Sequence, residues 1–208
     1  MFRLSLFVAG LWLICPMVRA GETPAHLERT VQGDAFARGG WEFQFAGGFA
    51  VSQNFHRLDR PQLNDADAQV RLGLMLNRPM GEGIWRGNFE VLIEAFGGAV
   101  VKGPGNGLAG TTLVLRRNMI LEGWKLVPYY QIGGGGVYSD AHEERPQRIL
   151  GSPLLFNLQA GFGARYFLRP RNAFFLEFDY RHISNAGMAE RNAGLNSAVG
   201  WFGASFFF

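Results

Sequence analysis

The chain has 208 residues, a formal net charge of +3 and an aromatic content of 14%. So small a positive charge does not suggest a protein that binds nucleic acids. Glycine provides 29 of the 208 residues, about twice the usual ~7%, and phenylalanine provides 19. There is no long apolar run, so the composition is not typical of a helical membrane protein or of an ordinary soluble enzyme. It favours a β-rich protein of the cell envelope.

The first 20 residues have the pattern of a secretory signal peptide, with a basic Arg3, an apolar stretch over 4–14 and small residues before Ala20. The apolar stretch is too short to be a membrane-spanning helix. We predict cleavage after Ala20 and export of the protein. Cys15 is the only cysteine and lies within this segment, so we expect no disulfide and no thiol chemistry in the exported chain.

Residues 21–40 are polar, lack a clear period and are predicted to form a periplasmic lead-in with one short helical turn. From residue 41 to 208, side chains alternate between apolar and polar with the period of two that is typical of β-strands. The alternation predicts one domain with eight strands, at 41–50, 69–77, 89–96, 108–119, 124–137, 157–166, 174–181 and 196–208. A soluble β-sandwich alternates in the same way.

Three further features favour a transmembrane barrel over a sandwich. The chain ends in three phenylalanines, like the aromatic C-terminal signature of outer-membrane barrels. The faces opposite the apolar ones carry charged residues and glycine, which suits the polar interior of a small barrel. The predicted connections also alternate in length, as expected when both termini are periplasmic. The long ones are 52–66, 97–107, 138–152 and 185–195, and the short ones are 77–83, 120–123 and 168–173.

We therefore predict an all-β protein, an eight-stranded antiparallel transmembrane β-barrel of the outer membrane with both termini periplasmic. Its interior is predicted to hold ion pairs. The glycine run 133–136 is predicted to thin a strand where the barrel bends or where a bulky neighbour packs. It does not fit a phosphate loop, because no Lys-Ser/Thr follows it. The predicted interior charges are Arg71, Glu90, Glu94, Arg165, Glu177, Asp179 and Arg181.

His182 and Ser184 are two residues apart on the seventh predicted strand, so they share a face. In the predicted topology they lie at the outer end of that strand and share parity with its apolar, lipid-facing residues. Such a pair is either two polar residues at the level of the lipid headgroups or a base beside a nucleophile.

The order of residues in this segment favours a base beside a nucleophile. His182-Ile183-Ser184-Asn185-Ala186-Gly187, followed by Asn192-Ala193-Gly194, resembles the H-x-S-N-A-G…N-x-G segment of PagL-type lipid A 3-O-deacylases. The resemblance implies an esterase that hydrolyses the ester-linked 3-hydroxyacyl chain at position 3 of lipid A in the outer leaflet. It also implies that Ser184 is the nucleophile and His182 its general base, with an oxyanion site formed by Asn185, Ala186 and Gly187.

The third member of the site departs from the family pattern, which has a glutamate fourteen residues after the histidine. Asn196 stands at this position. An asparagine can accept a hydrogen bond from the imidazole, but it cannot offset the charge of an imidazolium. We therefore expect Asn196 to orient His182, with Glu190 of the preceding loop as the alternative.

The expected partners are lipid A, or lipopolysaccharide, and the outer membrane, and a homodimer is an assembly that the sequence leaves open. No cofactor is implied, and the four histidines lack the spacing of metal ligands. The loop residues Arg57, Arg60, Arg145 and Arg148 are either solvated charges or contacts for lipid A phosphates. Two other functions remain open, a noncatalytic structural or adhesin barrel and a lipid A acyltransferase.

Overall fold

The computed structural model describes residues 35–53, 62–121 and 123–208, so the predicted signal peptide, Cys15 and most of the 21–40 lead-in lie outside the described residues. Each strand pairs antiparallel with the next, and the last pairs with the first, which closes the barrel. The prediction of an eight-stranded antiparallel barrel is confirmed. The strands are β1 (Trp41–Ser52), β2 (Asn64–Met75), β3 (Gly87–Lys102), β4 (Gly107–Met119), β5 (Leu126–Ser139), β6 (Leu154–Arg169), β7 (Asn172–Ser184) and β8 (Leu195–Phe207).

The outer wall of the barrel is apolar and the inner wall is polar. In β7, Leu176 and Phe178 are exposed on the outer wall, whereas the alternating residues Glu177 and Asp179 are buried on the inner wall. The other strands repeat this alternation, which follows from the period of two along a strand. Among the described residues, no helix is long and apolar enough to cross a membrane.

Buried arginines fill the lumen and pair with carboxylates from several strands. Arg71, for example, lies 2.6 Å from Glu94 and 2.8 Å from Glu177, which come from β3 and β7. Such pairs offset the desolvation of charges that no water reaches. The predicted ion pairs in the lumen are confirmed. The principal ones are Arg71 with Glu94 and Glu177, Arg165 with Glu42 and Glu90, and Arg181 with Asp65 and Asp67.

Apolar clusters close both ends of this charged lumen. The cluster beside loops 140–153 and 185–194 includes Leu63, Phe96, Ile149, Leu150 and Leu195. The cluster at the opposite end includes Phe36, Met75, Ile120, Phe167 and Phe207. The lumen is therefore a packed core rather than a channel. A substrate site must therefore lie outside the lumen.

The prediction of a long connection at 97–107 is wrong. Strand β3 continues to Lys102 and β4 begins at Gly107, so the connection is a tight turn over 103–106. Glycines interrupt the apolar pattern here, which makes the sequence resemble a loop. In the structure Gly98 pairs with Leu108 in the β3–β4 ladder, and a Cβ at Gly98 would collide with the buried Asp67 carboxylate.

Two connections at the opposite end of the barrel also differ from their predicted lengths. The β2–β3 connection covers 76–86 instead of 77–83, because it contains the short 3-10 helix Gly83–Trp85. The β6–β7 connection shrinks to residues 170–171. Long and short connections therefore do not alternate strictly.

The glycine run 133–136 lies inside β5 and pairs with both neighbouring strands. A Cβ on Gly135 would overlap the backbone of Thr111, and one on Gly133 would lie 2.9 Å from the Thr112 side chain. The predicted thinning of this strand is confirmed, and its physical reason is the close approach of β4.

Candidate active site at the outer end of β7

His182 and Asn196 stand directly opposite each other in the β7–β8 ladder, and both are half-buried. Asn196 Oδ1 lies 2.6 Å from His182 Nδ1. A side-chain amide oxygen can only accept, so this bond puts the imidazole proton on Nδ1 and leaves Nε2 as an acceptor. The structure thus brings His182 together with the residue at the family's glutamate position.

Ser184 follows two residues later on the same outward face of β7, and it too is half-buried. Its ladder partner on β6 is Phe156, and that of His182 is Leu158. Both partners are exposed apolar residues, so the polar pair borders the lipid-facing wall. No hydrogen bond joins the Ser184 hydroxyl to His182 or to any other described residue. Such bonds are often long without substrate and tighten when it binds.

The side chain of Asn185 shapes the loop over 185–194. It is fully buried, accepts from Gly187 N at 2.9 Å and donates to Arg191 O at 3.2 Å. Its own backbone N–H donates to Asn192 Oδ1 at 2.9 Å. The Asn185 amide and the Gly187 N–H, which the sequence assigned to an oxyanion site, are thus already bonded within the loop.

Ala186 is the remaining predicted donor. Its backbone N–H has no hydrogen-bond partner within the part of the chain that the structure describes. Its φ of 51° lies in the left-handed region, where it is the one non-glycine residue among those described. Strain of this kind tends to concentrate at functional sites.

Gly194 covers the edge of the imidazole. Its φ is +73°, and a Cβ there would lie 3.1 Å from His182 Cε1 and 3.8 Å from Ser184 Cβ. A side chain at this position would press on the catalytic candidates. Sequence reasoning quoted Gly194 as part of a motif but did not predict this contact. The one feature of the sequence that could have indicated the contact is the glycine itself, two residues before Asn196.

The loop over 185–194 is fastened to the loop over 140–153. The Arg191 guanidinium donates to the carbonyls of His142 at 2.7 Å, Gln147 at 3.1 Å and Glu144 at 3.2 Å. The backbone N–H of Gly194 also donates to Ile149 O at 3.0 Å. Sequence reasoning missed this contact between loops, because backbone carbonyls carry no residue-specific signal.

Glu190 lies on the exposed side of the same loop. It makes no hydrogen bond or ion pair with any described residue, and His182 Nδ1 is already bonded to Asn196. The structure therefore does not bring the alternative third residue to the imidazole. In the described ranges, no three His, Cys, Asp or Glu side chains gather in a way that could hold a metal ion.

Asp140, a carboxylate of loop 140–153, accepts several hydrogen bonds from the β3–β4 turn. It accepts from the backbone N–H groups of Asn106 at 2.9 Å and Gly107 at 3.1 Å. Slight burial acts to raise the pKa of Asp140, but these hydrogen bonds outweigh it and lower the pKa below its ordinary value. Asp140 thereby fixes the β3–β4 turn against loop 140–153.

The sequence-family model of lipid A 3-O-deacylase (PagL) matches residues 66–205, which is more than half of the chain. The chain belongs to the lipid A 3-O-deacylase family. It is an outer-membrane barrel and a lipid A deacylase, which separates it from the noncatalytic barrel and the acyltransferase left open by the sequence. No curated protein sequence matches the chain significantly.

Solved structures share the fold at low sequence identity. The crystal structure of the outer membrane enzyme PagL is 16% identical, with a TM-score of 0.55 over 77% of this chain and 97% of that chain. Neisserial surface protein A (NspA) is 13% identical, with a TM-score of 0.50 over 82% of this chain and 98% of that chain. Both similarities concern the barrel architecture.

Proposed function

We propose that this deacylase is a serine esterase in which Ser184 attacks the ester at position 3 of lipid A and His182 is the general base. The observation that carries the proposal is the 2.6 Å contact between His182 Nδ1 and Asn196 Oδ1. Because this contact occupies Nδ1, Nε2 remains available as the acceptor. Ser184 lies on the same outward face of β7, so Nε2 can take its hydroxyl proton in our proposal.

The chemistry then follows the two steps of a serine esterase. Ser184 Oγ bonds to the ester carbonyl carbon as its proton moves to His182 Nε2, and this proton passes to the sugar oxygen when the ester C–O bond breaks. Water then attacks the acyl-enzyme, with His182 again taking and returning a proton. The products are the free hydroxyacyl acid and the 3-hydroxyl of lipid A.

We assign the orienting role to Asn196 rather than to Glu190. Asn196 fixes the tautomer and ring orientation of His182, as the asparagine does in Cys-His-Asn enzymes. It provides no negative charge for the imidazolium, so we expect a slower enzyme than one with glutamate here. Glu190 has no contact with the imidazole that would support the competing role.

For the oxyanion we assign the Ala186 N–H as a donor. This N–H has no partner among the described residues, so it is available to an oxyanion. The left-handed φ of Ala186 sets the direction in which the N–H points in our proposal. Asn185 and Gly187 support this donor by closing the turn through their 2.9 Å hydrogen bond. They therefore shape the oxyanion site in our proposal.

The outer wall next to the site offers room for an acyl chain. A groove of about 610 Å³ reaches Leu158, the ladder partner of His182, and continues along Gly134, Ile132 and Leu113. The glycine-thinned part of β5 forms its floor. With both termini in the periplasm, as we propose, the outer end of β7 would meet the outer leaflet, where lipid A resides. Every residue of the proposed site comes from one chain, so a homodimer is not required.

Mass spectrometry of lipid A from cells that express the barrel would test this assignment. We expect the wild type to remove one hydroxyacyl chain, Ser184→Ala to remove none, and Asn196→Ala to be slower. Glu190→Ala serves as the comparison for Asn196→Ala. An active Ser184→Ala variant would refute the nucleophile, and loss in Glu190→Ala with retention in Asn196→Ala would transfer the orienting role to the loop.

A further inference from the structure

A cavity opens between the two loops that hold the site together. It has a volume of about 560 Å³, which is within the range of small-ligand sites. Its walls come from loop 140–153, through Arg145 and Arg148, and from loop 185–194, through Glu190, Arg191 and Ala193. We call it the rim cavity.

The charges of the rim cavity favour an anion. Arg145 and Arg148 are exposed, and neither guanidinium has an ion pair or hydrogen bond with a described residue. Arg191 is held in place by three backbone carbonyls, which bring no carboxylate to its guanidinium. Three arginines thus face the single carboxylate of Glu190. Planar guanidinium groups of this kind suit phosphate oxygens.

The rim cavity is adjacent to the proposed chemistry. Ala193 in its wall precedes Gly194, whose Cβ position lies 3.1 Å from His182 Cε1 and 3.8 Å from Ser184 Cβ. A ligand in the cavity and an ester at Ser184 would therefore lie on two sides of one short peptide segment. This arrangement suits a substrate with a charged headgroup and an acyl ester close together.

We propose that the rim cavity binds a phosphate monoester on the sugar headgroup of lipid A, with Arg145 and Arg148 as its ligands. This inference rests on the proposed function, because it assigns the recognition of the same substrate. Glu190 is then a repulsive group in the site and has no part in the proton transfers.

Steady-state kinetics on two substrates would test the proposal. Purified barrel in detergent is given bisphosphorylated lipid A or the same lipid A after chemical removal of its phosphates. We expect Arg145→Ala and Arg148→Ala each to raise KM for the phosphorylated substrate about 5- to 20-fold, with kcat and the dephosphorylated substrate unaffected. Arg171→Ala, an exposed arginine in the turn at the other end of the barrel, is the charge-matched control and should change nothing. Equal effects on both substrates, or none, would overturn the proposal.

Glu190→Gln provides a test of opposite sign. Removing the repulsive carboxylate should lower KM for the phosphorylated substrate and leave kcat unchanged. A drop in kcat instead would put Glu190 into the chemistry and overturn this assignment.

Direct binding separates this proposal from the catalytic one. Equilibrium binding of both lipids to Ser184→Ala requires no turnover, so it tests the rim cavity even if the serine assignment fails. We expect tighter binding of the bisphosphorylated lipid, and loss of that preference when Arg145→Ala is added. Millimolar inorganic phosphate should compete if the site recognises the phosphate group itself. A preference that survives Arg145→Ala and Arg148→Ala together would contradict the proposal.

Discussion

The lumen and the outer rim of this barrel both use arginine, but in opposite ways. In the lumen the Arg71 side chain is completely buried and bonded to two carboxylates. At the rim, the Arg191 guanidinium binds only backbone carbonyls, and the guanidinium groups of Arg145 and Arg148 have no partner among the described residues. Interior polar groups are largely satisfied by one another, whereas the rim keeps donors and acceptors available. We therefore expect stability to depend on the lumen, and the proposed binding and chemistry to depend on the rim.

We expect the largest effect on activity from His182→Ala, which tests whether the chemistry depends on the rim and not on the lumen. Loss of the proposed base should reduce deacylation at least about 10³-fold, because a serine hydroxyl is a weak nucleophile without one. The unfolding midpoint should remain unchanged, since the imidazole lies on the outer wall. Turnover can be followed by mass spectrometry of lipid A and folding by the mobility shift of the heated barrel in gels.

His142→Ala is the matched control, because His142 is a half-buried histidine of loop 140–153. Its Nδ1 contacts Ser139 O at 2.9 Å. His142 touches the site loop through its backbone carbonyl, which accepts from Arg191 and which the alanine variant keeps. A comparable loss of activity in His142→Ala would show that the His182 effect arises from disturbed loops.

The converse test is Arg71→Met in the lumen. It leaves the buried Glu94 without its cation, whereas Glu177 keeps Arg116 at 3.2 Å. Removal of one partner from a buried pair costs about 3–5 kcal/mol. The free energy of unfolding in urea should fall by that amount, while the folded fraction keeps its kcat. Arg171→Met, in an exposed turn, should have almost no effect. An intact barrel with impaired kcat would contradict the division between lumen and rim.

Sequence periodicity predicted the strands, because the period of two assigns side chains to one of two faces. The aromatic C-terminus and the charged faces opposite the apolar ones were needed to favour a barrel over a sandwich. Periodicity failed around Gly97 and Gly98, which lie within β3 and do not mark a loop; Gly98 makes room for the buried Asp67. The outward position of His182 and Ser184 also follows from parity. Their support could not be predicted, because the contacts of Arg191 with loop 140–153 go to backbone carbonyls of a segment distant in sequence.

A smaller effect is expected from the contact between the two outer loops. Arg191→Ala removes three hydrogen bonds to loop 140–153 and should lower kcat about 10- to 100-fold, because the turn at Ala186 loses its support. Arg191→Lys retains the charge, but an ammonium group lacks the planar guanidinium that reaches three carbonyls. We therefore expect kcat to be restored only partly in this variant. Global stability, measured in urea, should change little. Full activity in Arg191→Ala would mean that loop 185–194 holds its shape alone.

The smallest effect concerns Asp140, a rim carboxylate that solvent can reach. Its pKa is lowered from 3.8 by the N–H groups of Asn106 and Gly107, even though slight burial acts to raise it. A group with a depressed pKa in the folded state stabilises that state above its unfolded pKa and loses the effect as pH falls through the folded pKa. The β3–β4 turn should therefore stay fixed at neutral pH and loosen only below about pH 4.

Amide chemical shifts of Asn106 and Gly107, followed by NMR between pH 2 and pH 7, would measure this transition. We expect a common midpoint below 3.8 in the wild type and no transition of this kind in Asp140→Asn. A midpoint at or above the ordinary value would mean that the two N–H groups do not favour the charged carboxylate. Asp140 would then be a solvated charge, and the β3–β4 turn would depend on the Gly105 N–H bond to Glu144 Oε1 at 2.6 Å.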